Sequence, residues 1–399
     1  MVELGRMAGD VMRATQVSLP SLDALGQEWI DLERRAAASF FTSWCWIGSW
    51  LKTLPAAVQP TLMRVEHEGR IVGLGLLGKA RIRRARVIPS KRLTLNATGD
   101  SSLDDITIEY NGLLCERGTE ASALRCCVDM LLGRDDWDEF ALPGLAQREC
   151  VELERAVRAP ARVVVEARNV CRYVDIEALR SSGTDYVRSL GKNARQHLRR
   201  SRKEFEKLGP LAIDAATSLQ EAQVYLAELR RFHQAYWISR GHPGAFANEY
   251  FCKFHDVLLA CGFPSGAVQL LRARAGDRVL GYLYNFVYDA RVQNYQSGFD
   301  YSLVTNQHHR PGLVTHALAI EYNQSVENRI YDFLAGETQY KKDLGTHSLE
   351  ICWAIVRRRR LRFLLEDGLR WAKPYVESWF TPTTALSRLC RRRSELPNG

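Results

Sequence analysis

Two stretches of this 399-residue chain follow one pattern, a helix and then a β-hairpin with a glycine at the same place in its second strand. The segments EGRIVGLGLL and GDRVLGYLYN each contain a turn glycine, polar residues, valine and a second glycine that enters an apolar strand. Gly73 and Gly281 occupy these equivalent positions, 208 residues apart. A repeat at this scale predicts two similar α/β units in tandem, and the length suffices for two cores.

Apolar periodicity and turn residues place the elements along the chain. The pattern predicts helices at 22–52, 120–132, 219–239, 247–260 and 313–324. It predicts hairpins that turn at Glu68–Gly69 and Gly276–Asp277, and further strands at 92–97, 106–114, 139–142, 162–166, 292–299, 329–334 and 350–356. The domain boundaries predicted from this order are an N-terminal extension (1–21), a first lobe (22–180), a basic interlobe helix (181–210), a second lobe (211–356) and a C-terminal tail (357–399).

The formal net charge of +9 is concentrated in two segments. Residues 186–207 hold eight Lys and Arg against two acidic residues, and residues 357–393 hold eleven against three. These segments carry +6 and +8, so the remaining chain is slightly acidic at −5. The net charge is therefore no evidence for DNA binding.

The first basic segment predicts an amphipathic helix. One stripe is apolar, and Arg188, Lys192, Arg195, Arg199 and Arg202 form a second stripe on another face, at steps of four and three. No acidic residue lies in that row, so the cations repel each other. Either the row is a solvated face, or it binds an anionic substrate through Lys192, Arg195 and Arg199.

Several function classes lack their sequence signals. The start of the chain has no apolar core of the kind that a signal peptide carries, and the 16-residue uncharged run at 36–51 is too short to span a bilayer. The ten cysteines have no metal-ligand spacing. The GxGxxG at Gly73, Gly75 and Gly78 lies inside a hairpin, which argues against a dinucleotide site. We expect a cytoplasmic protein without a bound metal or a permanently bound cofactor.

Three segments resemble the GCN5-related N-acetyltransferase (GNAT) superfamily, and more narrowly its tandem FemAB-like and CelD-type group from bacterial cellulose and exopolysaccharide loci. They are the hairpin GDRVLGYLYNFV, the basic helix LGKNARQHLRRSRKEFEKLG, similar to R-x-x-L-R-R/K-x-x-K-x-x-x-x-G, and YDFLAGETQYKKDLG. The last is similar to a strand ending in D-F-x-x-G-x and followed by an aromatic–Lys pair. The resemblance covers 186–350 most specifically and is weaker over 22–175.

The resemblance implies an α/β fold of two GNAT-like lobes with mixed sheets, and an acyl donor bound in the second lobe. Acyl-CoA is the implied co-substrate. The usual Q/R-x-x-G-x-G/A loop is reduced here to Gly312, with Arg310 just before it, at the start of the helix that contains Leu313. Helix-start N–H groups and a guanidinium still suit an anion. An acyl carrier protein or an aminoacyl-tRNA also remains possible as donor.

Direct acyl transfer to an amine needs a proton acceptor, stabilisation of the carbonyl oxygen and protonation of the leaving group. The resemblance implies that Lys341, the lysine of the aromatic–Lys pair, stabilises the developing charge. Glu337 is the candidate general base, Tyr340 the candidate acid, and His308 and His309 are candidate proton shuttles. The remaining candidates are Gln296 and Gly298 at the donor carbonyl, and Asp332 near the substrate.

The tail has the composition of a membrane-surface segment, with basic blocks between aromatic residues such as Trp371, Tyr375 and Trp379. It favours a lipid or membrane-tethered amine acceptor and peripheral contact with an anionic membrane, although the tail could equally pack on the lobes. Envelope polysaccharide precursors are the other implied acceptors. Aminoacyl-tRNA-dependent transfer and a non-catalytic accessory module of exopolysaccharide synthesis are the alternative functions.

Overall fold

The computed structural model describes residues 12–84 and 87–363. They divide into two compact units. The described part of the first unit comprises residues 12–84, 87–104, 108–168 and 352–363, and that of the second unit comprises residues 105–107 and 169–351. The tail residues Trp371, Tyr375 and Trp379 lie outside the described residues, as do the first eleven residues of the predicted N-terminal extension.

The first unit is a mixed sheet with helices. Its strands are β1 (Arg13–Val17), β2 (Thr61–His67), β3 (Arg70–Arg84), β4 (Ile88–Leu95), β5 (Leu114–Cys115), β6 (Glu139–Ala146), and the parts of β7 (Ala161–Asp175) and β13 (His347–Arg358) that belong to this unit. Its helices are α1 (Leu22–Arg35), α2 (Trp44–Thr53), α3 (Glu120–Leu132) and α4 (Gln147–Ala156). Neighbouring strands follow the order β1-β2-β3-β4-β6, antiparallel except for the parallel pair β4 and β6.

The second unit has the same architecture. Its strands, besides the remaining part of β7, are β8 (Leu211–Ala215), β9 (Val268–Ala275), β10 (Arg278–Tyr288), β11 (Arg291–Phe299) and β12 (Ile330–Ala335). Its helices are α5 (Ile176–Ser181), α6 (Tyr186–Ser189), α7 (Lys192–Glu206), α8 (Leu219–Ser239), α9 (Glu249–Gly262), α10 (Pro311–Ser325) and α11 (Gln339–Leu344). The order β7-β12-β11-β10-β9-β8 contains one parallel pair, β11 with β12. The predicted α/β class with mixed sheets is confirmed.

The two hairpins are equivalent down to a β-bulge. In the first unit Val65 pairs with Gly73 and Glu66 with Ile71, so one residue between them is bulged. In the second unit the pairing of β9 with β10 skips a residue at the same point, directly before Gly281. A Cβ on Gly281 would lie 2.7 Å from the carbonyl oxygen of Gly298. The glycine therefore allows β10 and β11 to approach closely where the bulge turns the strand.

Each unit has its own apolar core. In the first unit, β-strand residues such as Met63 and Leu95 pack against α3 residues such as Cys127 and Leu131. In the second unit, Leu198 and Phe205 of α7 pack with the sheet and with α10. The apolar stripe of the basic helix thus packs as its periodicity predicted.

The predicted helix at 22–52 is wrong in its middle. Ala36 is extended and bridges to Glu116, and α2 starts only at Trp44. The hydroxyls of Ser39 and Ser43 accept backbone N–H groups and so cap new helical turns, which competes with continuation of α1.

The basic helix is also shorter than predicted. α6 ends at Ser189, and α7 begins at Lys192 behind Gly191, which is extended with ψ of 155°. The predicted strand at 106–114 reduces to Leu114–Cys115. Thr107 and Tyr110 have φ of 43° and 46°, values that a regular strand does not have.

Candidate functional site

The site in the second unit begins where two parallel strands part. β11 and β12 pair over three register pairs, from Arg291 with Ile330 to Gln293 with Asp332. Beyond these pairs β12 bulges against β7, and Leu334 has a left-handed φ of 59°. β11 continues to Phe299 beside β10. A gap therefore opens between the ends of β11 and β12, the β11–β12 gap.

A cavity of about 840 Å³ occupies this region of the second unit. β11, β12, α10 and α11 all contribute residues to the cavity lining. The lining residues are Asp105, Thr107, Asn193, His197, Phe232, His233, Tyr236, Trp237, Arg240, His242, Pro243, Gly244, Ala245, Phe251, Asn294, Tyr295, Gln296, Ser297, Gly298, Phe299, Tyr301, Val304, Asn306, Gln307, His309, Arg310, Pro311, Gly312, Leu313, Phe333, Gln339, Tyr340, Lys341 and Asp343.

The five predicted donor-binding residues all line this cavity: Gln296, Gly298, Arg310, Gly312 and Leu313. Two come from the end of β11 and three from the start of the 15-residue α10. A helix of this length has unpaired N–H groups and a partial positive charge at its start. A guanidinium nitrogen of Arg310 lies 3.4 Å from Nδ1 of His197, so a second helix, α7, also reaches this end of the cavity.

Lys341 lies in the cavity wall with its ammonium turned to the end of β12. Its Nζ donates hydrogen bonds to the carbonyl oxygens of Leu334 and Ala335, at 3.2 and 2.6 Å, and the residue is buried. Burial lowers the pKa of Lys341 to about 8. The lysine thus hydrogen-bonds to the end of β12, where the strand bulges against β7.

Asp332 supports the same bulge from the other side and does not line the cavity. One carboxylate oxygen accepts hydrogen bonds from Nε and a terminal nitrogen of Arg291, at 3.0 and 2.8 Å, and the other accepts the N–H of Leu334. The left-handed turn at Leu334 is therefore fixed by the side chains of Asp332 and Lys341 together.

Tyr340 lines the cavity and stacks on the buried ring of His316, with centroids 4.9 Å apart and planes 8° apart. Burial raises the pKa of Tyr340, which keeps the phenol protonated at neutral pH. Burial lowers the pKa of His316 to about 3, so this imidazole is neutral. A neutral, protonated phenol is a hydrogen-bond donor that a leaving group could use.

The other predicted catalytic residues lie in different surroundings. Glu337 does not line the cavity, is half-exposed, and lies within 4 Å of Arg172 and Lys342. His308 also lies outside the cavity lining. His309 does line it, and its Nδ1 is 3.0 Å from the hydroxyl of Thr305.

The predicted substrate-binding cations do not line the cavity. Lys192 lines a separate cavity of about 480 Å³, Arg195 donates to the carbonyl of Leu190, and Arg199 is exposed. The expectation that the cationic row lacks an acidic partner is wrong at Arg202, which pairs with Glu321 of α10 at 2.6 Å. A carboxylate distant in sequence supplies this partner, so the row alone could not reveal it.

Much of the cavity wall consists of residues that the sequence did not predict. Asn193 and His197 project from α7 one turn apart, and Phe232, His233 and Tyr236 come from α8. The α8 residues lie within the run FHQAYW, whose apolar pattern is typical of a core helix. The positions of Asn193 and His197 within the basic helix, four residues apart, were the only available signal.

The described residues contain no group of three His, Cys, Asp or Glu side chains placed to hold a metal ion. None of the described helices combines the length and apolar character needed to cross a membrane.

Comparison with known proteins agrees with this geometry. Residues 192–342 match the family model described as an acetyltransferase (GNAT) domain. This range contains α7, the whole β9–β12 sheet segment, α10 and Lys341. No curated protein matches the chain.

Solved structures share the fold at low identity. The structure of FemX matches with a TM-score of 0.54 and 9% identity, covering 89% of this chain and 99% of that one. The C-terminal domain of a protein assigned as a lysylphosphatidylglycerol synthetase from Agrobacterium fabrum matches with a TM-score of 0.51 and 10% identity, over 88% and 97% of the two chains. These likenesses concern the fold. The family match shows that residues 192–342 form a GNAT domain, so the chain contains an acyltransferase domain of this type.

Proposed function

We propose that the protein transfers an acyl group from an acyl thioester, with acyl-CoA as the donor, to an amine acceptor in the cavity of the second unit. The observation that carries this proposal is the β11–β12 gap, which opens directly into the cavity beside the start of α10. The CelD-like relationship and a lipid acceptor are finer parts of the same proposal.

The open edge of β11 suits a thioester carbonyl. In its antiparallel pairing with β10, alternate N–H groups of β11 point away from β10. From Asn294 onward β12 no longer runs beside them. A carbonyl oxygen held there would receive hydrogen bonds that strengthen as it gains negative charge during attack.

The start of α10 suits phosphates. The N–H groups of Gly312 and Leu313 begin α10, and the guanidinium of Arg310 lies beside them. A Cβ on Gly312 would lie 2.9 Å from the ring of Phe299, so glycine permits this close packing of the helix start. The diphosphate of coenzyme A would be stabilised by these groups.

The aromatic wall favours an acceptor with an apolar body. Tyr236 stacks on Tyr301 at 4.7 Å, and Phe232, Trp237 and Phe251 complete this side. Such a wall removes apolar surface of a ligand from water, at about 25 cal/mol per Å². A long-chain or aryl amine would gain most from it.

A donor screen tests the proposal. The purified chain is mixed with acetyl-, octanoyl- or palmitoyl-CoA and with dodecylamine, 2-phenylethylamine or glucosamine, and free thiol is measured. We expect acceptor-dependent thiol release with at least one pair. Lys341→Ala should abolish it, and Glu337→Ala measures what an exposed carboxylate outside the cavity contributes. Absence of thiol release with every pair would contradict acyl-CoA as donor.

A second candidate is transfer from an aminoacyl-tRNA, favoured by the basic face of α7. Lys192, Arg199, Arg200 and Lys203 are exposed on this helix. If they bind tRNA phosphates, affinity should fall steeply as salt rises from 50 to 200 mM. No tRNA binding at low salt would dismiss this candidate.

A further inference from the structure

One buried histidine of the cavity has a ring nitrogen that no described residue uses. His233 of α8 is 7% exposed and lines the cavity. Its Nδ1 lies 3.2 Å from Oε1 of Gln234, and its ring packs edge-on against Phe246 at 5.0 Å. Among the described residues, no hydrogen bond involves its Nε2. Nε2 is therefore the nitrogen that a molecule in the cavity can reach.

The neighbouring amide fixes which nitrogen carries the hydrogen. Nε2 of Gln234 donates to the carbonyl of Pro243 at 2.8 Å, which leaves Oε1 as the acceptor facing His233. Nδ1 of His233 is then the donor, and Nε2 presents a lone pair. Gly244 has φ of 72°, and a Cβ there would lie 2.2 Å from Oε1 of Gln234. The loop can approach Gln234 this closely only with glycine at this position.

The imidazole is held in its neutral form. Burial lowers the pKa of His233 to about 4, so it carries no charge at neutral pH. A neutral imidazole with its Nδ1 hydrogen committed to Gln234 can only accept a hydrogen bond through Nε2. This atom therefore selects N–H or O–H groups and offers nothing to a carboxylate or a phosphate.

His233 lies close to the end of β11 where the thioester carbonyl is proposed to bind. A Cβ on Gly298 would lie 2.3 Å from the carbonyl oxygen of Leu229, so β11 touches α8 at this point. His233 follows Leu229 by four residues on α8, about one helical turn further on. Aromatic contacts also link His233 through Phe246 and Phe251 to Tyr295 of β11.

We propose that Nε2 of His233 accepts a hydrogen bond from the attacking N–H of the acyl acceptor, whose apolar or aryl body lies along the aromatic residues of α8. This inference rests on the proposed function. The nitrogen lone pair forms the C–N bond, the C–S bond breaks, and the sulfur leaves with that electron pair. The proton lost by the nitrogen ends on the sulfur, so an amide and a thiol result. His233 orients the nucleophile and is a specificity-determining residue for an acceptor that presents an N–H donor.

Two replacements separate the two ring nitrogens. His233→Asn keeps a polar atom near Nδ1 and loses Nε2, whereas His233→Gln places an amide oxygen near the position of Nε2. With 2-phenylethylamine and dodecylamine as acceptors, we expect His233→Asn to lower the acceptor-dependent rate about 100-fold and to raise the KM for the amine. The donor KM should not change, and His233→Gln should restore much of the rate. His347→Asn, outside the cavity lining, is the control. Wild-type rates for His233→Asn in an active preparation would overturn the inference while the proposed function stands.

A second measurement stands apart from turnover. In the full chain labelled with ¹⁵N-histidine, the signal assigned by His233→Asn should be that of a neutral ring with hydrogen on Nδ1 between pH 6 and 8. Addition of 2-phenylethylamine should shift its Nε2 resonance, and Gln234→Met should remove the tautomer preference. An Nε2 resonance that neither 2-phenylethylamine nor dodecylamine shifts would overturn the inference, whether or not thioester is turned over. A shift without thiol release would contradict only the proposed function.

Discussion

The two units of this protein share one succession of elements and differ in what fills the space between their parallel strands. The first unit contains β2–β3, β4, α3, β6 and α4, and the second contains β9–β10, β11, α10, β12 and α11. Each parallel pair, β4 with β6 and β11 with β12, is paired over three residues and then separates. In the second unit a cavity of about 840 Å³ lies at this place.

In the first unit, the chain between β4 and α3 closes the gap between β4 and β6. Asn111 is fully buried there, and its N–H donates to the carbonyl of Gly144 in β6. Its amide nitrogen donates to the carbonyl of Leu95 at the end of β4, and its amide oxygen accepts from Asn96. Asn111 thus hydrogen-bonds to both separated strands, to β6 through its backbone N–H and to the end of β4 through its side chain.

The short helix after the parallel pair shows a second difference. Glu149 and Lys341 each occupy the third position of their helix, α4 and α11. Glu149 accepts the N–H of Ala146 before α4, the arrangement of a capping box. Lys341 instead donates to carbonyls of the preceding strand. The same position therefore supports a closed gap in one unit and an open gap in the other.

The largest expected effect comes from closing the open gap. Ser297 of β11 lines the cavity. Ser297→Trp would fill the β11–β12 gap of the second unit, as Asn111 and its neighbours fill the corresponding gap of the first unit. We expect loss of palmitoyl-CoA binding by calorimetry and at least a 100-fold loss of transfer, since the donor is excluded sterically. Lys91→Trp, at an exposed site on the equivalent strand β4, is the matched control. Unchanged donor binding by Ser297→Trp would show that the gap is not the donor site.

The helices and strands could be predicted from the sequence better than the closure of the gap between β4 and β6. α3 and α8 match their predicted bounds because apolar periodicity and helix caps are local signals. The glycines that follow the bulged residues reveal the repeat, because few other residues fit at these positions. The closure of the first gap depends on Asn111, in a segment whose alternation of apolar residues predicted a strand. Its left-handed residues Thr107 and Tyr110 are set by tertiary contacts that no local pattern carries.

The same division holds for the site residues: those at a strand end or a helix start could be predicted, and those oriented by tertiary contacts could not. The residues of β11 and the start of α10 could be named because a strand end followed by a helix start is visible in sequence. The orientation of Lys341 toward the bulge was not predictable, because Leu334 and Asp332 create that geometry only in the folded strand. His233 has the sequence neighbourhood of a core residue, so only the cavity shows its exposure to ligand.

A second test replaces Lys341, whose ammonium hydrogen-bonds to the end of β12 at the open gap. Lys341→Met keeps the length of the side chain but removes the hydrogen bonds that Nζ donates to the carbonyls of Leu334 and Ala335. We expect a 10- to 100-fold fall in kcat, with about 1–3 kcal/mol lost in stability for the two buried hydrogen bonds. Lys341→Arg, which retains donors, should be intermediate. Thiol release and chemical denaturation measure the two effects, and a full rate for Lys341→Met would refute the role of the lysine.

A third test opens the closed gap. Asn111→Ala removes the buried amide that joins Leu95 to Asn96, and it should lower the free energy of unfolding by about 2–3 kcal/mol. Donor KM should remain unchanged, because the proposed donor site lies in the second unit. Urea unfolding and the thiol assay together check this pair of outcomes. A raised donor KM would assign a donor-related role to the first unit.

The last test concerns the carboxyl beneath the closed gap. Burial raises the pKa of Glu149 to about 7, and a Cβ on Gly112 would lie 2.9 Å from one of its oxygens. The folded-state pKa lies above the unfolded value of 4.5. The stability that the protonated carboxyl contributes is therefore complete below pH 4.5 and is lost as the pH rises through the folded-state pKa. The wild type should therefore lose stability relative to Glu149→Gln as pH rises from 4.5 through 7, by up to about 3 kcal/mol at about 1.4 kcal/mol per unit of pKa shift. Thermal unfolding of both proteins at pH 4.5, 6 and 8 measures the difference. A constant difference across this range would mean that the carboxyl is charged in the fold, and that the closed gap tolerates a buried charge at the position where the open gap has a lysine.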